Sequence, residues 1–343
     1  MRTLSIAWYL RDGGNVHYLS TLGPLMAEMS QMKGFRHHLV VRPGAAPGDD
    51  ALTSDQAELL VECDDLDRYD LVVTPSWLRD DERPVRTPVV QAFHGLSDKP
   101  FTVERDFGRD AALLCIGLRH VERIQRNRPD RLHNCHLVGW PKFDRMPTDL
   151  RQPGARPRVV YAPTWRKGGF SSIDAIMSTG VLSSLRSEFD VVIKPHPNLL
   201  NPARPFYDRS TAAWLRAVES EPGVSVMRSA NVLPEFAAAD VCITDASSAG
   251  HEWLYFDRPL VILNPQPDKL RANNDIDSPT YLWQAARVCN DPFALTDTVQ
   301  QALEEDHGMG PIRRRVLRWN VHDPYGAQAA QRGVGVVAKV LKG

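Results

Sequence analysis

Two short polar runs in the second half of the chain carry the residue types of phosphate chemistry. Lys194-Pro195-His196-Pro197 ends the apolar run Phe189-Asp190-Val191-Val192-Ile193, and Thr244-Asp245-Ala246-Ser247-Ser248-Ala249-Gly250-His251-Glu252 ends Val241-Cys242-Ile243. A polar turn just after a buried parallel strand lies where open α/β folds bind ligands, outside the carboxyl ends of the strands. Cations, hydroxyls and the start of a helix together suit a phosphate-bearing, nucleotide-linked substrate.

His196 stands between two prolines, which stiffen the turn that presents it. Its imidazole can donate to a phosphate or protonate a leaving group, with Lys194 as a nearby charge. Ser247 and Ser248 offer hydroxyls and backbone N–H groups, Gly250 permits close packing, and Glu252 can accept both hydroxyls of a ribose. Asp245 and Ser247 are equally suited to capping a helix, a role compatible with phosphate binding. Asn231 before Val232 reads as a helix cap. Tyr161-Ala162-Pro163-Thr164-Trp165-Arg166-Lys167-Gly168-Gly169 follows another candidate strand. Thr164 brings a hydroxyl, and Arg166 and Lys167 can meet phosphate oxygens. The plain alternative for that run is a solvated basic turn.

The first half carries a similar arrangement. Phe93-His94-Gly95-Leu96-Ser97-Asp98-Lys99 follows a strand, so His94 could deprotonate an acceptor hydroxyl and Lys99 could hold an anionic acceptor. Arg11-Asp12-Gly13-Gly14-Asn15-Val16-His17 is too loose for the dinucleotide fingerprint GxGxxG; Asn15 and His17 are read as acceptor-side residues. The arginines Arg123, Arg126, Arg128 and Arg131, and separately Arg313, Arg314, Arg315 and Arg318, read as solvated faces able to touch anionic lipid or a polyanionic acceptor.

These residues need a scaffold of strands alternating with helices. Candidate strands are Leu4–Tyr9, His38–Val41, Leu71–Thr74, Val89–Phe93, Ala112–Ile116 and His136–Val138, then Arg158–Tyr161, Val191–Lys194, Val224–Met227, Val241–Thr244 and Leu260–Leu263. Their continuous apolarity predicts parallel sheets covered on both faces. Helices are expected over Val16–Met32, Ser54–Glu62, Leu118–Asn127, Ser210–Glu219, Val232–Ala239, Phe293–Glu305 and Ala327–Leu341. The fold class is therefore α/β, as two Rossmann-like domains with parallel sheets facing across a cleft. The segment from Met146 to Pro157, with three prolines and a glycine, marks the boundary. The expected division is residues 1–146 on the acceptor side, 147–325 for the donor, and a terminal helix over 326–343 that could return to the first domain.

The bulk numbers agree with an enzyme of this kind. The chain has 343 residues, is 43% hydrophobic and 24% charged, and carries a net charge of −1, which argues against a dedicated nucleic-acid binder. Five scattered cysteines without a CxxC pair read as reduced thiols in a cytoplasmic protein, with no structural zinc site. The N-terminal apolar stretch is short and broken by Arg11-Asp12, so it reads as a first strand rather than a signal peptide. No run of about twenty apolar residues predicts a membrane span. No cofactor is expected beyond a nucleotide-activated substrate, and a divalent metal is not required.

In this order, the motifs resemble the CDP-glycerol glycerophosphotransferase family, which includes teichoic acid primases and polymerases. The likeness runs through His94-Gly95, Gly139-Trp140-Pro141-Lys142-Phe143-Asp144, Tyr161-Ala162-Pro163-Thr164-Trp165-Arg166, Lys194-Pro195-His196-Pro197 and Thr244-Asp245-Ala246-Ser247-Ser248, with a fainter match at Asp323-Pro324-Tyr325-Gly326-Ala327 and Arg332. It implies a GT-B fold and transfer of a polyol phosphate from a CDP-linked donor to a saccharide, polyol-phosphate or lipid-linked acceptor at the inner face of the cytoplasmic membrane. His94-Gly95-Leu96-Ser97 before Lys99 stands where that family usually reads HGTP. The run Ala249-Gly250-His251-Glu252-Trp253 also resembles the wider GT-B transferases and UDP-sugar 2-epimerases, so a nucleotide sugar and an isomerase stay open as alternatives.

Overall fold

The computed structural model describes residues 2–11, 18–44, 52–99, 110–166, 169–200, 202, 207–229, 231–306 and 308–342. The chain forms two compact units. The first comprises Met1–Leu96, Val103–Met146 and Arg318–Gly343, and the second Ser97–Thr102 and Pro147–Leu317.

The first unit is built on β1 (Leu4–Leu10), β2 (Phe35–Val41), β3 (Leu60–Glu62), β4 (Leu71–Thr74), β5 (Val89–Ala92), β6 (Asp110–Cys115) and β7 (Cys135–Leu137). They form one sheet in the order β3-β2-β1-β4-β5-β6-β7, with every pairing parallel. Alternate residues of β1 explain its unbroken apolarity. Ile6, Trp8 and Leu10 enter one core and Ala7 and Tyr9 enter another on the opposite face, as a parallel sheet covered on both sides requires. Helices α1 (Leu19–Met29), α2 (Ser54–Glu58) and α3 (Leu118–Asn127) belong to this unit.

The helix expected over Ser54–Glu62 ends at Glu58. Thr53 and Gln56 form a reciprocal capping box at its start, but Leu60-Val61-Glu62 leaves the helix to pair with β2 as an edge strand. Two aliphatic residues beside an open sheet edge outweigh a helix that buries none of its residues.

The second unit contains β8 (Arg158–Ala162), β9 (Asp190–Ile193), β10 (Val224–Val226), β11 (Val241–Thr244), β12 (Leu260–Leu263) and β13 (Arg287–Cys289). This sheet is also parallel throughout, in the order β10-β9-β8-β11-β12-β13. Its helices are α4 (Ile173–Thr179), α5 (Val181–Glu188), α6 (Pro197–Leu200), α7 (Arg209–Val218), α8 (Leu233–Ala238), α9 (Ser248–Trp253) and α10 (Leu295–Glu304). One core joins Val159, Tyr161, Val191, Ile193, Val241 and Ile243 to Ile173, Leu185, Leu215 and Val299 from the helices.

Helix α11 (Met309–Asn320) carries the chain out of the second unit, and α12 (Ala329–Lys342) packs in the first. The division thus differs from the expected one at two places. Residues from 318 onward join the first unit because the end of α11 lies against it. A Cβ on Gly117 would stand 2.1 Å from the Asn320 carbonyl oxygen, and the His322 N–H donates to the Ile116 carbonyl at 2.8 Å. Ser97, Asp98 and Lys99 join the second unit, for reasons given below. Asp144 accepts the N–H groups of Ala329 and Ala330 at 3.0 and 2.7 Å, so the run Gly139–Asp144 seats the start of α12. Arg332 completes this join by donating to the Val138 carbonyl and pairing with Asp323.

Candidate functional site

In the second sheet the chain moves outward from β8 to β9 and β10, then returns to place β11 on the other side of β8. Beyond the carboxyl ends of β8 and β11 is therefore the switch point of a doubly wound sheet, the place such folds keep for ligands. The loops there hold Thr164, Trp165 and Arg166 after β8, Lys194 and His196 after β9, and Asp245, Ser247 and Ser248 after β11.

Asp245 is fully buried. Its carboxylate accepts the Thr164 N–H at 2.9 and 3.1 Å and both the N–H and hydroxyl of Ser172, at 2.9 and 3.0 Å. It thereby ties the β11 loop to both ends of the β8 loop. Ser172 in turn bonds the Tyr161 hydroxyl at 2.9 Å. Burial raises the Asp245 carboxyl to about 6, although the accepted hydrogen bonds and the Lys99 ammonium pull it down. Asp245 thus fixes loops rather than capping α9. The cap is Ser247, whose hydroxyl accepts the Ala249 N–H at 3.3 Å.

His196 is set by its turn. Its Nδ1 accepts the Asn198 N–H at 3.1 Å, which puts the proton of the neutral ring on Nε2. The Trp165 indole stacks beside it at 5.9 Å. Lys194 is buried, with its ammonium on the Pro195 carbonyl at 3.1 Å. Gly250 on α9 is required by space: a Cβ there would meet Leu282 Cδ2 at 2.4 Å and Thr244 Cγ2 at 3.1 Å. Glu252 is buried on the same helix.

Lys99 corrects the sequence reading. Expected on the acceptor side, it is 4% exposed and its ammonium donates to the Thr164 hydroxyl at 2.6 Å, lying 5.8 Å from the centre of the Trp165 ring. A buried ammonium needs such partners, and they belong to the second unit. The preceding residue anchors it: Asp98 bonds the buried His251 imidazole at 3.0 Å and accepts the Leu282 N–H at 3.2 Å. Asp98, His251, Ser172 and the stacking role of Trp165 were missed from sequence. The one local signal was an aromatic residue inside a polar turn.

Arg166 also departs from its expected role. Its guanidinium pairs with Asp174 at 2.6 Å and with Asp208 at 3.4 Å, so its charge is committed to carboxylates of this unit. Lys167, Asn15 and His17 lie outside the described residues.

In the first unit His94 follows β5 and is exposed. Its Nδ1 lies 2.8 Å from the Pro75 carbonyl and its ring packs 4.3 Å from that of Tyr18. A carbonyl only accepts, so Nδ1 carries the proton and Nε2 keeps its lone pair. His94 and His196 are thus held in opposite tautomers, one with a basic Nε2 and the other with a donating Nε2–H.

The basic clusters are only in part the solvated faces expected: Arg126, Arg315 and Arg318 are exposed. Arg123 is buried. Arg128 and Arg131 share Asp130. Arg313 is 2% exposed between Asp257 and Asp306, which also leaves Arg314 paired to Asp257. Among the described residues no group of three or more His, Cys, Asp or Glu side chains is placed to hold a metal ion, and no helix is long and apolar enough to cross a membrane.

Comparison with known proteins resolves the class. No curated protein matches the chain in sequence. Among solved structures, the wall teichoic acid polymerase TagF has a TM-score of 0.66 at 14% identity, covering 99% of this chain and 89% of that one. Staphylococcus aureus MnaA with UDP has a TM-score of 0.61 at 11% identity, over 99% and 97%. The UDP-GlcNAc 2-epimerase of Neisseria meningitidis bound to UDP-GlcNAc also reaches 0.61 at 11% identity, over 98% and 100%. These likenesses carry the fold, the GT-B class. The family model for CDP-glycerol:poly(glycerophosphate) glycerophosphotransferase matches residues 128–337, more than half of the chain, and it separates the transferase reading from the epimerase one. The chain belongs to the CDP-glycerol:poly(glycerophosphate) glycerophosphotransferase family and is a transferase with a nucleotide-linked donor.

Proposed function

We propose that the chain moves glycerol phosphate, or a closely similar polyol phosphate, from a CDP-linked donor to a saccharide or polyol-phosphate acceptor, releasing CMP during synthesis of a cell-surface polymer. The observation that carries this reading is the cluster at the carboxyl ends of β8, β9 and β11, where Lys99, Thr164, Lys194, His196 and Ser247 lie beside the switch point. Cations and fixed donors in a largely buried setting are the means by which a protein stabilises charge on a transferring phosphoryl group.

In the proposed step an acceptor hydroxyl attacks the phosphorus that carries the glycerol. The new P–O bond forms to the acceptor, and the bond from that phosphorus to the bridging oxygen breaks. CMP leaves with the bridging oxygen. The acceptor proton passes to Nε2 of His94, the nitrogen its Pro75 hydrogen bond leaves basic. The Nε2–H of His196 and the ammonium of Lys99 meet the charge that develops on the pyrophosphate, with Lys194, Ser247 and Ser248 around it. Asp245 holds the β8 and β11 loops in register, and Glu252 faces the ribose. Work at the inner face of the cytoplasmic membrane, and turnover without a divalent metal, are parts of the same proposal. The test is CMP release from CDP-glycerol, CDP-ribitol and UDP-sugars, each with and without acceptor. Reaction with UDP-sugars alone removes the phosphotransferase reading, and product from donor alone returns the isomerase.

A further inference from the structure

Trp165 is a half-buried indole in the polar loop at the carboxyl end of β8. The chain is fastened on both sides of it. The Thr164 N–H is held by Asp245 at 2.9 and 3.1 Å, and the Thr164 carbonyl accepts the Ser171 hydroxyl at 2.7 Å. The next residue, Arg166, is paired with Asp174 at 2.6 Å. The backbone that carries the ring therefore has little freedom.

Two groups of the proposed donor site meet this one ring. The Lys99 ammonium lies over it, 5.8 Å from its centre, where the negative π-face of an indole attracts a cation. The His196 imidazole stacks beside it at 5.9 Å, with 30° between the planes. These contacts complete what the hydrogen bonds leave open. The Asn198 N–H holds Nδ1 of His196 at 3.1 Å but lets the ring turn about that bond. An indole stacked on the imidazole fixes its plane, and with it the direction of Nε2–H. The Thr164 hydroxyl sets one donor direction of Lys99 at 2.6 Å, and the ring face bounds the ammonium on another side.

We infer that Trp165 is a positioning residue for the phosphoryl transfer: its indole aims the His196 Nε2–H and the Lys99 ammonium together at the pyrophosphate. The inference rests on the proposed function for the reaction, and on the stack and the cation–π contact for the geometry. It acts through His196 and Lys99. Donors aimed in advance favour the transition state over the ground state, so loss of the ring should appear in kcat more than in donor binding.

Trp165→Leu should lower kcat for CMP release by about ten- to a hundred-fold, the scale of a misplaced catalytic group. CDP-glycerol affinity by calorimetry should stay within about five-fold of wild type. Trp165→Phe keeps a π-face and should recover most of the lost kcat; Trp165→Met serves if Trp165→Leu does not fold. When Trp165→Leu is paired with His196→Ala, and separately with Lys99→Met, the combined loss should be smaller than the product of the single losses. A second readout needs no turnover. With isotope-labelled histidine, the His196 ring nitrogens are assigned by their absence from His196→Ala. Their magnetic resonance signals should show the Nε2–H tautomer in wild type and Trp165→Phe, and an average of both tautomers in Trp165→Leu. Unchanged kcat in Trp165→Leu, equal losses in the Phe and Leu variants, additive losses in either double variant, or a single His196 tautomer in Trp165→Leu overturns the inference. A loss confined to CDP-glycerol affinity would make the ring a platform for the base and overturns it as well. No CMP release by wild type, with the tautomer change intact, removes the proposed function and leaves the ring's hold on His196 standing.

Discussion

Lys99→Met should separate stability from function. The ammonium is 4% exposed, and burying a charge costs several kcal/mol even in a relaxed protein. Methionine keeps most of the aliphatic stem and recovers that cost. Against it stand the 2.6 Å bond to Thr164, whose loss leaves a buried hydroxyl without its donor at about 1–3 kcal/mol, and the attraction to Asp245, which is ionised above about pH 6. These terms are of similar size and opposite sign, so the folded state should change by no more than about 2 kcal/mol in either direction. Donor binding has no such compensation. Losing one charge-assisted contact to a pyrophosphate should cost about 1.5–3 kcal/mol, or roughly 10–150-fold in affinity. Calorimetry with CDP-glycerol, thermal melting and CMP release should therefore show a stable protein with a weak donor site. Removing the cation should also raise the Asp245 carboxyl further, since the ammonium holds it down. Arginine at this position should not restore binding, because its larger planar fork does not reproduce one compact ammonium in a site that is 4% exposed. Wild-type affinity for CDP-glycerol in Lys99→Met would refute the donor assignment, and a collapse in stability would refute the energetic balance.

His94→Ala should lower kcat by about 10²–10⁴-fold with little change in CDP-glycerol affinity, whereas His196→Ala should affect both; steady-state CMP release with separate donor titrations distinguishes them. Asp245 makes stability depend on pH in a defined direction. Its folded value of about 6 lies above the ordinary 3.8, so between those values the folded state binds more protons than the unfolded one. Stability should fall as pH rises from about 4 to 6 and level off above, by up to about 3 kcal/mol for a shift near two units. Urea unfolding of wild type against Asp245→Asn across that window should show this component only in the wild type. Gly250→Ala drives a Cβ to 2.4 Å from Leu282 Cδ2 and should cost about 1–3 kcal/mol, read as a lower melting temperature.

The strands that carry the site were legible because each is buried on both faces. Val241-Cys242-Ile243 and Val191-Val192-Ile193 show this as unbroken apolar runs, and the polar turns after them are visible for the same reason. Two of the short edge strands were not, although β7 and β10, equally short, were. Leu60-Val61-Glu62 and Arg287-Val288-Cys289 are three residues each, too short for a period to declare itself, and the first directly follows a well-capped helix. Helix α11 was read as a charge run because the partners that bury Arg313, Asp257 and Asp306, are fixed by the fold and not by spacing.

The reassignment of Lys99 shows where sequence reading reaches its physical limit. Only four residues separate it from His94, and in an extended segment that invites the inference of a shared site. What decides its place is the cost of burying charge. The ammonium finds its acceptor 65 residues away at Thr164, and Asp98 finds His251 at a separation of 153. No local pattern encodes either pairing. They follow only once β8 and β11 lie side by side and α9 presents His251, so the same parallel pairing that creates the switch point also creates the setting in which Asp98 and Lys99 are both held. Disrupting that setting from the far side gives a direct check. His251→Phe should fill the space yet strand the Asp98 carboxylate at about 1–3 kcal/mol, and with its anchor strained Lys99 should lose register on Thr164. CDP-glycerol affinity should then fall in His251→Phe although residue 251 is only 1% exposed, while the Lys99→Met, His251→Phe pair should be no weaker than Lys99→Met alone. Additive losses in that double variant would mean that His251 acts on the donor by a route other than Lys99.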